Sequence, residues 1–250
     1  MNQGERNEYN KTSYGDYRTI ERDDGLPMDQ ATGARIFVNR VYNWMFCGLM
    51  LTAVAAWGVT QLGESTFKAV LSASTPLIIV ELLLVIVLSA AIRKISAPVA
   101  GTMFIAYSIL NGLTLSPIFL AYTQTSICLA FGSCALMFAA TSTFGYMTGM
   151  NLDTIGSYCF MGLIGIVIAS LVNFFLHSQM LDYIVSYIGI AVFVGLTAWD
   201  TQKVRMVGEA AGEEAQSDGM RKVAIIFALS LYLDFINLFL YLLRIFGRRR

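Results

Sequence analysis

The chain has 250 residues, of which 56% are hydrophobic and only 14% are charged, and its mean hydropathy is +0.61. Soluble domains carry about 25% charged residues, so this composition excludes an ordinary water-soluble domain. Acidic and basic residues balance to a net charge of zero, and most of them lie in residues 1–40, 200–222 and 244–250. No basic face for nucleic acid is expected, and the chain has the composition of a polytopic membrane protein.

The N-terminal segment is polar and of mixed charge over residues 1–38. It is not a cleavable signal, because the apolar run that follows is too long and too late for the core of a signal peptide. We expect a disordered cytoplasmic leader over residues 1–38 and a seven-helix transmembrane domain over residues 39–250.

Seven apolar segments are long enough to cross a bilayer, since roughly 20 apolar residues span its hydrocarbon core. They cover residues 41–62, 76–92, 99–122, 127–147, 155–176, 181–200 and 223–246. The links between them are short, except for the mildly amphipathic stretch GESTFKAVLSAS after the first segment. Short links join antiparallel neighbours, which predicts an all-α membrane protein built as one bundle of seven transmembrane helices.

Lysine and arginine are distributed unevenly between the two sets of loops. They precede the first segment, follow the second and lie between the sixth and seventh, whereas the loops after the first, third and fifth contain only Lys68. By the positive-inside rule, the N-terminus is expected in the cytoplasm. The arginines after the seventh segment conflict with this rule if that segment crosses. Either it crosses against the rule, or it enters the membrane and returns.

Polar and small residues interrupt several of the earlier segments. Glu81 in the second segment either lines an outer vestibule or snorkels to the interface. Asn111 in the third either faces the polar centre of the bundle or joins helices through hydrogen bonds. Gly145 and Gly149 at the end of the fourth form a small-xxx-small pair, which suits close helix packing.

The seventh segment contains the stretch LYLDFINLFLYLL, in which polar residues recur on one side. Ser230, Asp234, Asn237 and Tyr241 follow one another at spacings of four, three and four, so they share one helical face. Helix–helix hydrogen bonding is the simpler account of the serine and the asparagine. An aspartate at mid-helix costs roughly 2.5–3.5 kcal/mol on insertion scales, which makes Asp234 a candidate functional residue.

Asp200 ends the sixth segment in the stretch GLTAWDTQKVR. If it meets Asp234 at low dielectric, the two carboxylates cannot both ionise easily and would share a proton. Loss of that proton would leave two charges that repel each other and attract a cation. Calcium prefers six to eight oxygens and two carboxylates supply at most four, which predicts a weak transit site. A symmetric loop would place Asp234 about 12 Å deeper than Asp200, so spacing alone does not bring them together.

The stretches NRVYNWM, YSILNGLTLSPIF, GYMTGMNLDTIGSYCFMGLIGIVIASLVN, GLTAWDTQ and SLYLDFINLFLYLLRIFG resemble the Bax inhibitor-1 family, also called the transmembrane Bax-inhibitor-motif family. The resemblance runs in order from residue 39 to residue 247, and the last two motifs are specific to the family. It implies two groups of three helices around a central, C-terminal seventh helix. It also implies a pH-sensitive calcium leak, with an aspartate pair on the sixth and seventh helices as the proton sensor.

The family's two aspartates correspond to Asp200 in TAWDTQ and Asp234 in LDFINLF, and the resemblance implies that they meet despite the offset in depth. Bacterial calcium-leak members also latch one aspartate with an arginine from an early helix. The second segment here contains no arginine, and Arg93 at its end is the nearest candidate latch. The candidate path-lining residues are Glu81, Asn111, Ser230 and Asn237.

Two functional classes remain. The first is a calcium-permeable leak channel gated by protonation of Asp200 and Asp234, with calcium and protons as its ions and no cofactor. The second is a regulatory membrane protein that binds a membrane protease, a cell-death factor or another membrane protein without intrinsic transport. In both cases we expect a multi-pass protein of a bacterial inner membrane. Its expected partner is the lipid bilayer, and no nucleic acid is expected to bind.

No enzymatic activity is expected. The sequence has no phosphate loop, no nucleophile elbow and no HExxH motif, and its only histidine, His177, forms neither a zinc site nor a triad. An intramembrane aspartyl protease would also need two membrane aspartates. Neither AWDT nor YLDF matches the YD and GxGD signatures of those enzymes.

Overall fold

Helices account for the regular structure of residues 30–92 and 94–247, the residues that the computed structural model describes. In chain order they are α1 (Gln30–Gln61), α2 (Glu64–Ser72), α3 (Ser74–Ala91), α4 (Ala97–Leu115), α5 (Ile118–Ala121), α6 (Gln124–Met147), α7 (Asp153–Leu176), α8 (Gln179–Ala211), a 3-10 helix (Gly212–Gln216) and α9 (Asp218–Phe246). Seven segments are long and apolar enough to cross a membrane, with α4 and α5 forming one of them. The predicted all-α bundle of seven transmembrane helices is confirmed.

Two helices extend well beyond the apolar segments that predicted them. α1 begins at Gln30, eleven residues before the predicted span, and α8 continues to Ala211, eleven residues past its predicted end. Hydropathy marks only the part of a helix that lies in hydrocarbon, whereas the backbone hydrogen bonds continue through polar turns outside it. Residues 30–38 of the predicted leader are therefore helical, and residues 1–29 lie outside the described residues.

The link after the first span and the end of the third differ in detail from the sequence prediction. The amphipathic link forms the helix α2, none of whose residues is buried, as befits a helix at a membrane interface. The third predicted span is divided into α4 and α5 around Pro117. Proline has no amide hydrogen and cannot continue the helical hydrogen-bond ladder.

α9 is the central helix of the bundle. In its most apolar window 61% of the residues are buried, against 11% in α3 and in α7. It packs against α1, α4, α6 and α8, while α3 packs on α4 and α7 packs on α8. Two groups of three helices therefore surround a central C-terminal helix, as the resemblance implied.

α9 runs the full length of the bundle as one continuous helix of 29 residues. Near its start, Arg40 of α1 donates a hydrogen bond to the carbonyl oxygen of Ala215 in the 3-10 helix, with an Nη1–O distance of 2.7 Å. Near its end, Arg244 lies 3.9 Å from Asp182 in the first turn of α8. The last segment thus crosses the bundle instead of entering and returning.

The connection between α8 and α9 lies flat on α1. Gly212 has a φ of +46°, a conformation that side chains rarely adopt, and its carbonyl group occupies the space that a Cβ on Gly33 of α1 would need. Gly33 and Gly212 therefore allow the α8–α9 connection to lie directly against α1. The position of the connection sets where α9 begins, and hence how deep each acidic residue lies.

Candidate functional site

Asp200 and Asp234 lie within electrostatic reach of each other at the interface of α8 and α9. Both are buried, with 8% and 5% of their surface exposed. Asp200 lies eleven residues before the end of α8, and Asp234 lies sixteen residues after the start of α9. The offset is therefore five residues, about 8 Å along a helix axis, and smaller than the symmetric loop predicted.

Lys203 is the cation at this pair, and sequence reasoning did not connect it with the aspartates. Its Nζ lies 2.6 Å from Oδ1 of Asp200 and 3.5 Å from the centroid of the Trp199 ring. Residues three apart on a helix are neighbours on its surface, so the spacing in WDTQK was the available signal. In the sequence analysis, Lys203 was only one of the basic residues from which the orientation of the chain was predicted.

The Oδ2 atom of Asp234 is buried and has no hydrogen-bond partner among the residues that the structure describes. Leaving a buried acceptor without a partner costs about 1–3 kcal/mol, and more for a charged group. With both acids ionised, two carboxylates and one ammonium give the site a charge of −1. One proton added to the pair would bring this sum of charges to zero.

The turn of α8 that carries the first acid is held by its neighbours. The hydroxyl of Thr201 is 3.3 Å from the hydroxyl of Tyr42 in α1 and 3.3 Å from that of Ser142 in α6. Gly145 of α6 packs so closely on the carbonyl group of Ala198 that it has no room for a Cβ. Gly149, its predicted partner in the small-residue pair, lies beyond the end of α6 and faces open space.

The other members of the polar stripe on α9 are less buried than the acid. Ser230 and Asn237 are half-buried, and the amide of Asn237 donates to the carbonyl oxygen of Leu233 in its own helix at 2.8 Å. Tyr241 lies against Gly189 of α8. The stripe therefore follows α8 from the acid towards the C-terminal end of α9, and its role in lining a path stays a prediction.

Glu81 and Asn111 belong to a second polar cluster, which joins α3, α4, α9 and α1. The Asn111 amide donates to Oε2 of Glu81 at 3.2 Å, and the Tyr232 hydroxyl donates to Oδ1 of Asn111 at 3.1 Å. The Tyr232 oxygen is also 2.6 Å from the hydroxyl oxygen of Thr52. Glu81 is 8% exposed and turned towards α4, so of its two predicted roles snorkelling is wrong.

This second cluster is separate from the carboxylate pair. Tyr232 precedes Asp234 by two residues, and residues two apart point to nearly opposite sides of a helix. Of the two readings left open for Asn111, its hydrogen bonds to Glu81 and Tyr232 favour the one in which it joins helices. Sequence reasoning missed Tyr232 and Thr52, since single hydroxyls in apolar helices occur at ordinary packing positions.

Arg93, the candidate latch, lies outside the described residues. Within residues 30–92 and 94–247, no group of three or more His, Cys, Asp or Glu side chains is arranged to hold a metal ion. A calcium ion at Asp200 and Asp234 would therefore meet two carboxylates and complete its shell with water or backbone carbonyls.

Comparison with known proteins places the chain in a family. The sequence model described as "Inhibitor of apoptosis-promoting Bax1" matches residues 34–250. The inner membrane protein YbhL of Escherichia coli K12 is 49% identical over 233 residues, which cover 92% of this chain and 98% of that protein. An uncharacterized protein of Borreliella burgdorferi is 41% identical over 218 residues, covering 86% of this chain and 92% of its own length.

A similar match comes from a Gram-positive organism. An uncharacterized membrane protein of Streptococcus pyogenes serotype M1 is 40% identical over 221 residues, covering 86% of this chain and 94% of that protein. The matched region contains all seven candidate spans, apart from the first residues of α1. The chain is thus a multi-pass membrane protein that belongs to the Bax inhibitor-1 family.

Proposed function

We propose that this protein is a calcium-permeable leak channel of a bacterial inner membrane, and that protonation of Asp200 and Asp234 controls its opening. One observation carries the proposal: two buried acids share the α8–α9 interface with a single lysine. A purely structural network would pair each buried charge, because an uncompensated charge inside a protein is costly. This site has one negative charge too many, unless it also holds a proton.

Protonation closes the channel by neutralising the site. With one proton shared, two carboxylates and one ammonium sum to zero, and α8 and α9 pack tightly. When the proton leaves, the excess charge strains this interface and attracts a cation from either end of the bundle. The incoming ion finds at most four carboxylate oxygens, so it binds weakly and passes on.

The inner-membrane location follows the description of the related protein YbhL, and the acidic residues support transport rather than catalysis. Ser230, Asn237 and Tyr241 lie on the same face of α9 as Asp234. Glu81 and Asn111 supply a second group of oxygen and nitrogen atoms on the other side of α9.

The alternative function is regulation of another membrane protein. The broad apolar surfaces of α3 and α7 favour it, since only 11% of the residues in their most apolar windows are buried within the bundle. Such surfaces contact either lipid or a partner protein. This alternative predicts no calcium flux from the purified protein.

The deciding experiment measures calcium entry into dye-loaded liposomes that contain the purified protein, at pH values from about 6 to about 8. We expect flux to rise with pH in the parent and to lose this dependence in the double variant Asp200→Asn, Asp234→Asn. Asp218→Asn is the matched control, because that acid begins α9 and its side chain is 60% exposed. Flux no higher than in empty liposomes at any pH would reject the leak and favour the regulatory role.

A further inference from the structure

Lys203 occupies the place beside Asp200 that a permeating cation would take. Its ammonium lies 2.6 Å from Oδ1, a distance typical of a charge-assisted hydrogen bond. The lysine side chain is 33% exposed, whereas that of Asp200 is 11% exposed. The lysine therefore reaches from a buried carboxylate to the exposed surface of the bundle, and its flexible stem allows the ammonium to move between the two.

The ammonium of Lys203 also contacts the ring of Trp199, and α7 holds that ring in place. Its Nζ lies 3.5 Å from the ring centroid of Trp199, a cation–π contact. The indole Nε1 of Trp199 donates to Oδ1 of Asp153 in α7 at 3.0 Å, and Gly156 of α7 gives the ring a flat surface to pack on. The position of the ammonium is thus built by α7 and α8 together, and is not that of a lysine free in solvent.

Other cations on α1, α8 and α9 have partners of their own. Arg40 donates to the carbonyl oxygen of Ala215, and Arg205 donates to the carbonyl oxygen of Tyr146 at the end of α6. Lys222 of α9 lies 3.8 Å from Asp218. Within the part of the chain that the structure describes, Lys203 is the cation that forms an ion pair with Asp200.

We propose that Lys203 is a tethered counter-ion that competes with the permeating cation for the Asp200–Asp234 pair and so sets its affinity for divalent ions. The inference rests on the proposed function and names its specificity-determining residue. While the ammonium is in place, it takes one carboxylate oxygen and leaves the ionised pair with a net charge of −1. When the ammonium moves out, the pair presents two negative charges, which match a divalent cation better than a monovalent one.

The direct test measures cation binding at fixed pH, without transport. Europium(III), a probe of oxygen-rich calcium sites, is titrated onto the full chain in nanodiscs of zwitterionic lipid, its luminescence excited directly, and calcium is then used to displace it. We expect Lys203→Gln to lower the dissociation constants of both ions at least about tenfold, because one competing charge is gone. Lys203→Arg keeps a cation and is expected to bind as the parent does.

Two controls separate a local effect from a general one. Lys222→Gln removes a lysine of the same charge that is paired elsewhere, and it should leave binding unchanged. Asp200→Asn combined with Lys203→Gln should lose the gain in affinity, because the carboxylate itself is neutralised. Trp199→Phe removes the indole N–H that holds the ring under the ammonium, so we expect it to tighten ion binding by a smaller factor than Lys203→Gln does. This variant provides a second test if Lys203→Gln fails to fold.

The outcomes distinguish this inference from the proposed leak. Tighter binding in Lys203→Gln with no calcium flux from any variant would support the counter-ion and reject the leak. Normal flux from the parent, with unchanged ion affinity in both Lys203→Gln and Trp199→Phe, would overturn the counter-ion and leave the leak standing. Equal tightening in Lys222→Gln would also overturn it, since the effect would then be one of overall charge.

Discussion

At the scale of single residues, the candidate site contains two acids, Asp200 and Asp234, and one base, Lys203. Asp234 could be identified from the sequence, because an acid in the middle of LYLDFINLFLYLL is too costly in a bilayer to lack a role. Lys203 was missed although its spacing from Asp200 on the same helix was a signal, whereas Tyr232 could not be identified, because its partners Thr52 and Asn111 lie on other helices. Sequence periodicity gives which residues share a face, but not which neighbour that face meets.

Because the pair carries an excess negative charge, we expect replacing one acid by its amide to stabilise the protein against unfolding, and to do so more at high pH than at low pH. On the proposed mechanism, Asp234→Asn would remove a buried negative charge without a hydrogen-bonded partner at high pH, whereas at low pH a shared proton would already neutralise the site in the parent. We expect the variant to exceed the parent by about 1–3 kcal/mol at about pH 8, and by less at about pH 6. Thermal unfolding in nanodiscs measures both differences.

The exposed acid on the same helix provides the comparison for this experiment. Asp218→Asn should shift the unfolding temperature little, and equally at both values of pH, because water already solvates that carboxylate. A stability gain in Asp234→Asn that does not grow with pH would mean that the pair carries no excess charge.

At the scale of helices, apolar length predicted the number of spans, and the contacts that fix their relative positions were only partly predictable. The pair Gly145 and Gly149 indicated close packing at the end of α6, and Gly145 alone makes that contact, with Ala198. Gly149 lies past the end of the helix at Met147, which is also the end of the predicted span, and it faces open space. The extensions of α1 and α8 were missed because hydropathy marks only the part of a helix that lies in hydrocarbon.

The contact of α6 with α8 gives a prediction at this scale. Gly145→Ala inserts a methyl group against the Ala198 backbone, two residues from Asp200, and should destabilise the protein by about 1–3 kcal/mol through overpacking. Gly132→Ala, on the same helix with open space around it, should be neutral or slightly stabilising, because alanine favours helix. Thermal unfolding of the two variants side by side tests this, and equal effects would contradict the packing argument.

At the scale of the whole molecule, the fold follows from seven crossings and one central helix. An odd number of crossings puts the two ends of the described chain at opposite ends of the bundle. The positive-inside rule was ambiguous for α9, because the arginines after it favour the cytoplasm. The contacts of α9 with four neighbouring helices resolve the ambiguity in favour of crossing, since packing outweighs the charges of a short tail.

Topology reporters test this arrangement in cells. With the N-terminus in the cytoplasm, alkaline phosphatase fused after Arg250 should be active, and green fluorescent protein fused there should be dark. Green fluorescent protein inserted into the connection between α8 and α9 should fluoresce, because that connection lies at the same end as the start of α1. A fluorescent C-terminal fusion would contradict the crossing of α9.

The central position of α9 also determines how the protein must be made. The helix that fills the middle of the bundle follows the other six spans in the chain, so those six are synthesised before it, with their polar groups facing one another or lipid. Assembly of the bundle therefore cannot finish until α9 has been made and inserted. A chain cut short before α9 would lack the centre of this bundle, and would expose buried polar groups of α1, α4, α6 and α8 to the quality-control proteases of the membrane.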